Sequence, residues 1–181
     1  MAKFLCLVQF CLILTLCSVS SVFSCRWNYR KFRQYHGNCL TLLREMGTGT
    51  GGDSENGNIF DADWFIHHTS SQPVKQVWLV IQTLDEISSL LTEADPVPWN
   101  KEQLHNFLSM LDYETEELRS CVPIRVRTNK RLSLYFKQLR GLIHNNTGDQ
   151  INVWEQIRKE LLDLLSLLES FPADYFANKP Y

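Results

Sequence analysis

Large apolar residues recur along the chain in steps of three and four, the spacing that gathers side chains on one side of an α-helix. The clearest run lies near the C-terminus, where Trp154, Ile157, Leu161, Leu164, Leu168 and Phe171 form one stripe and Leu165 widens it to the breadth of a core-facing helix. Glu155, Lys159, Asp163, Ser166 and Ser170 fall between them and are predicted to face water or a partner. Asp149 is placed to cap this helix, and Pro172 to stop it, because a proline disfavours helical backbone in the residue before it. A helix over residues 149–171 spans on the order of 30 Å at roughly 1.5 Å per residue, the length of a small bundle.

Four more helices follow from the same spacing. Residues 27–46 carry Phe32, His36, Cys39, Leu40, Leu43 and Met46 on one side, with Arg26, Arg30, Lys31, Arg33 and Arg44 mostly elsewhere, and Gly47 ends the helix. His36 on that stripe reads as a satisfied histidine at the edge of the core, not a ligand. Residues 73–94 open on Pro73, suited to a first turn, and continue through Val77, Trp78, Ile81, Leu84, Ile87 and Leu90. Because residues 77–81 are apolar nearly all round, this helix is predicted to be the most central. Asn100, with Gln103 behind it, caps a third helix that reaches Arg119 along Leu104, Phe107, Leu108, Leu111 and Leu118. Its acidic run Asp112, Glu114, Glu116, Glu117 reads as a solvated face. A fourth, over residues 129–144, carries Leu132, Tyr135, Phe136, Leu139, Leu142 and Ile143. Only residues 145–148 separate it from the last helix, so the two are predicted to form an antiparallel hairpin in which Trp154 meets Tyr135 or Phe136.

The connection over residues 47–72 is long. Its glycines lack a preceding strand and a following Gly-Lys-Ser/Thr, which argues against a phosphate loop. Ile59, Phe60, Trp64, Phe65 and Ile66 make its second half too apolar to stay in water, so it is predicted to pack along the bundle. Asp61, Asp63, His67 and His68 read as solvated loop groups, and no metal is expected there. The architecture is thus all-α, a bundle of five helices with a long first crossover.

The first 24 residues have Lys3 as their only charge, an apolar run over residues 4–16, and then small residues. That pattern predicts a cleaved secretory signal, too short in its apolar run to span a membrane. Cleavage after Ser24 is the first choice, with Ser20 and Ser21 as alternatives. Residues 25–181 then form a single domain, expected to be exported, monomeric and free of membrane insertion. The formal charge of −2 excludes a nucleic-acid partner as the natural reading, and Arg119, Arg125, Arg127, Lys130 and Arg131 read as a solvated cluster. His36, His67, His68, His105 and His144 share no catalytic pattern, so neither an enzyme nor a cofactor is expected.

Three of the six cysteines, Cys6, Cys11 and Cys17, leave with the signal. Cys25 and Cys39 are separated by roughly 21 Å if both lie on one helix, while a bridge needs Cα atoms within about 7 Å. Cys39 also falls on the apolar stripe, where a cysteine acts as a small hydrophobe. Cys25 with Cys121 is the pairing left. Asn145-Asn146-Thr147 is a glycosylation sequon in the short link, which makes Asn145 the candidate acceptor.

YFKQL at residues 135–139, followed by NVWEQIRKE at 152–160, resembles the penultimate and last helices of type I interferons. CRW at 25–27 is similar to the mature start of fish members of that family, and Trp154, Glu155, Arg158 and Glu160 form the most specific part of the likeness. Asn152 stands where many relatives have a cysteine, which resembles the one-disulfide subgroup among fish interferons, and Cys39 is extra to the pattern. The resemblance implies an interferon-like helical cytokine bundle and a secreted antiviral cytokine that joins two class II cytokine receptor chains to start Janus kinase/STAT signalling. It also implies that the first helix, the long loop and the last helix face one receptor chain, and that the second to fourth helices face the other. By position, Arg158, Lys159 and Leu162 belong to the first face, and Asp163 stands where relatives often carry a second basic residue. Leu162 lies beside the core stripe and reads equally as a hot-spot residue or a core-edge residue. The rival readings are another class II helical cytokine, interleukin-10-like, and a carrier of apolar ligands. The density of the apolar stripes argues for a filled core and against a carrier's cavity.

Overall fold

Three of the long helices begin where an asparagine side chain satisfies backbone N–H groups that the first turn leaves without partners. In the computed structural model, Asn28 accepts from the Lys31 amide at 2.9 Å to open α1 (Tyr29–Glu45), and Pro73 opens α2 (Pro73–Glu93). Asn100 accepts from the amides of Glu102 and Gln103 to open α3 (Lys101–Cys121), and Asn129 from those of Arg131 and Leu132 to open α4 (Lys130–Asn145). The last long helix is α5 (Gln150–Leu168). The structure describes residues 25, 27–47, 72–94, 96–122, 126–145, 148 and 150–178. The leader, most of the long connection with its apolar and polar candidates, Arg125 and the Asp149 cap lie outside the described residues.

The final helix is shorter than its apolar pattern predicts. It ends at Leu168, and after a turn the chain re-enters a helix, α6 (Ala173–Ala177), with Pro172 at its start. Proline cannot continue the first helix, yet its fixed φ suits the opening of the second. Five residues are too few for apolar spacing to register, so this element was invisible in the pattern.

α1 packs on α3 and α5, α2 packs on α3 and α4, and α4 pairs with α5. α6 folds back to touch α1 and α2. Val77, Trp78, Leu79, Val80 and Ile81 are consecutive buried residues of α2, which is why that helix tolerates no polar side there. Phe32, Ile81, Leu84, Phe107, Phe136 and Ile157 are fully enclosed where the helices meet. Trp154 is buried, but its ring meets Trp99 edge to face at 5.4 Å, not Tyr135 or Phe136. The Pro-Val-Pro turn before α3 carries Trp99 inward, while Tyr135 turns its hydroxyl to Glu160.

The chain is fastened at one pole. Cys25 and Cys121 are joined by a disulfide with Cα atoms 4.6 Å apart, tying the segment before α1 to the end of α3. Tyr175 of α6 donates to the Cys121 carbonyl, and Tyr29 donates to the Glu169 carbonyl at 3.4 Å. No helix among the described residues is long and apolar enough to cross a membrane.

Candidate functional site

The outward edge of α5 is built from residues that apolar spacing leaves out of the core. Lys159 and Asp163 are exposed, one turn apart, and Leu162 lies between them, half-buried against the core. Leu162 thus sits at the core edge with one side in solvent. Arg158 differs from these three. Its Nε and one terminal nitrogen bond to Glu155 at 2.9 and 2.8 Å, and the other terminal nitrogen donates to the Leu43 carbonyl at 3.4 Å. Glu155, predicted to face water or a partner, is buried instead. The end of α1 crosses that side of α5 and closes it off.

The four residues that carry the family likeness thus share one property. Trp154 fills the core against Trp99, Glu155 and Arg158 hold each other, and Glu160 is buried and accepts from Tyr135 at 3.3 Å. Burial, with the Glu160 carboxylate close by, pushes the Tyr135 hydroxyl well above the ordinary tyrosine range. These residues shape the bundle, and Lys159 is the exposed residue among them.

A second polar group lies deep in the bundle. His36 of α1 is completely enclosed, not at the core edge, with Nδ1 2.8 Å from Glu114 of α3 and Nε2 2.8 Å from the Leu165 carbonyl of α5. A carbonyl only accepts, so Nε2 carries a proton, and opposite a carboxylate Nδ1 carries one too. Burial works against the charged ring, but the Glu114 hydrogen bond and charge, aided by the Leu165 carbonyl and Glu169, outweigh it and raise the pKa above 6.5. Cys39 is a free, buried thiol whose Sγ donates to the second Glu114 oxygen at 3.7 Å. Burial first, and then the Glu114 charge, push that thiol far up, so it is an inert group and not a nucleophile.

Glu114 corrects the reading of the acidic run as a solvated face. Asp112 and Glu116 are exposed, while Glu114 has no exposure at all. The signal was a gap in the α3 stripe: Leu111 and Leu118 are seven residues apart, positions 114 and 115 each complete the steps of three and four, and both Glu114 and Thr115 are buried. Among the described residues, no group of three or more His, Cys, Asp or Glu is arranged to hold a metal.

On the far side, α2, α3 and α4 present fixed charges around a groove lined in part by Trp78, Gln82, Val126 and Leu132. Arg119 bonds Asp85 and Glu116, and Arg140 bonds Glu86, Glu93 and Ser89. Arg119 is therefore part of an ion-pair network and not simply solvated, whereas Arg127, Lys130 and Arg131 are exposed. Asn145 is exposed at the last position of α4.

Comparison with known proteins places this arrangement. The chain is 29% identical over 171 residues to interferon a3 of Oncorhynchus mykiss, a match that covers 92% of this chain and 95% of that protein. Among solved structures, zebrafish interferon 1 shares the fold at a TM-score of 0.65, with 23% identity, covering 81% of this chain and 97% of that one. No family model matches the chain.

Proposed function

We propose that the chain, similar in sequence to a fish interferon and in fold to another, is a secreted antiviral cytokine that binds two class II cytokine receptor chains and starts Janus kinase/STAT signalling. In this reading residues 1–24 are a leader removed on export, residues 25–181 act as one monomeric domain, and Asn145 is available for glycosylation. The edge of α5 formed by Lys159, Leu162 and Asp163, with Arg158 behind it, meets one receptor chain. The face of α2, α3 and α4 meets the other.

The observation that carries the assignment is the placement of Lys159 and Asp163, exposed beside a half-buried leucine. A small apolar centre ringed by charge is the composition of an interface hot spot, where the apolar residue supplies affinity and the charges supply orientation. The opposite charges of Lys159 and Asp163 call for a partner surface of mixed sign. Purified residues 25–181 applied to fish cells should raise STAT phosphorylation and protect them from virus. Lys159→Glu and Leu162→Ala together should weaken binding to one receptor chain by about 2 kcal/mol or more, with the other chain unaffected. A folded double variant that binds both chains like the parent would move the contact off α5.

A further inference from the structure

The last turn of α1 is held by a side chain from another helix. A helix leaves its final carbonyls without intrahelical donors. Here the Met46 amide returns to the Leu42 carbonyl and the Gly47 amide to the Arg44 carbonyl, so neither of these two amides bonds the Leu43 carbonyl. Arg158 supplies the missing donor from α5, and its charge sits at the negative end of the α1 dipole. Glu155 fixes the same guanidinium from the other side. The Arg158 side chain is 13% exposed and that of Glu155 6%, so neither is displayed to a partner.

Gly47 completes the arrangement. A Cβ at this position would lie 2.6 Å from Arg158 Cζ and 2.7 Å from a terminal nitrogen, inside any allowed contact. The backbone there does not lie in the left-handed region, so a Cβ is opposed by the guanidinium, which would have to move, and not by φ.

We propose that Arg158 is a positioning residue of the receptor-facing surface: with Glu155 it straps the end of α1 to α5, and it leaves direct contact to Lys159, Leu162 and Asp163. The proposal rests on the reading of that edge as a receptor surface and refines it. For Arg158 to reach a partner, its bonds to Glu155 and the Leu43 carbonyl must break, and the buried Glu155 carboxylate would lose the guanidinium that faces it. Lys159 and Asp163 carry no such burial.

Gly47→Ala separates the two roles, because it leaves Arg158 in the sequence and displaces its guanidinium. Amide exchange in residues 42–47 of the full mature protein reads the strap, and binding to the immobilised extracellular region of each receptor chain reads its consequence. Gly47→Ala, Arg158→Lys and Arg158→Ala should each speed exchange there by about tenfold, as expected for loss of a charge-assisted hydrogen bond. All three should weaken binding to the chain that senses Lys159→Glu, and Gly47→Ala with Arg158→Ala should be no worse than Arg158→Ala alone. The proposal is overturned if Arg158→Ala leaves that exchange unchanged. It is equally overturned if Gly47→Ala binds like the parent while Arg158→Ala does not. If Lys159→Glu and Asp163→Lys leave both chains' binding intact, the receptor reading of the edge falls, and the positioning role falls with it even where exchange still reports the strap.

Discussion

Two of the charge pairs that hold α1, one at its middle and one at its end, differ in their surroundings. His36 and Glu114 have no exposure, and their partners come from α1, α3 and α5. Arg158 and Glu155 lie on one helix, three residues apart, with a sliver of solvent beside them. In the interior every donor and acceptor must be matched, because an unmatched charge has no water to turn to. At the edge, a broken bond can be partly replaced by solvent. The inner pair therefore specifies how three helices sit together, and the outer pair trims the angle at which one of them ends.

The largest effect should come from breaking the inner pair. Glu114→Ala strands the buried imidazolium and should cost about 3 to 5 kcal/mol in urea unfolding. His36→Leu combined with Glu114→Leu removes both charges and should recover most of that loss. A double variant as unstable as the single one would mean that the pair contributes more than its own desolvation cost, and the comparison would need redrawing.

Acidity tests the same pair more gently. The folded state holds the His36 proton above its ordinary value of 6.5, so the stabilisation is present in full below about pH 6.5 and is lost as pH rises through the raised value. Unfolding midpoints of the parent should therefore fall relative to the double leucine variant as pH is raised from 6.5. A constant difference across that range would show that His36 stays neutral when folded.

The smallest effect belongs to the most exposed of the pairs on α1. Arg33 meets Glu169 at 3.0 Å with its own side chain 59% exposed, and Arg33→Ala should change stability by about 1 kcal/mol or less. A larger loss would indicate that stacking of Arg33 near the Tyr29 ring matters more than the charge.

What the sequence made legible follows from the range of each interaction. Apolar spacing is local, and it located the five long helices to within a few residues. The i,i+3 relation of Glu155 to Arg158 was equally local, but the Leu43 carbonyl lies 115 residues away and no spacing points to it. Glu114 was hidden because it stands among other acids, and its role emerges only when a stripe with a missing position is set beside a histidine and a cysteine on another helix. Trp99 escaped notice in a turn, where periodicity has nothing to say about which side faces inward. Lys159 and Asp163 were placed outside by pattern alone, since exposure is what remains after the core has taken its share.

Cys39 gives the molecule a clock. It is the free thiol among the described residues, it has no solvent exposure, and it lies against the inner charge pair. An alkylating reagent can reach it only when α1 separates from α3, so its rate of modification in native buffer measures how often the bundle opens at its centre. Opening that breaks the His36–Glu114 contact and opening that exposes the thiol become one event, and its frequency can be followed by mass alone, without a probe being introduced.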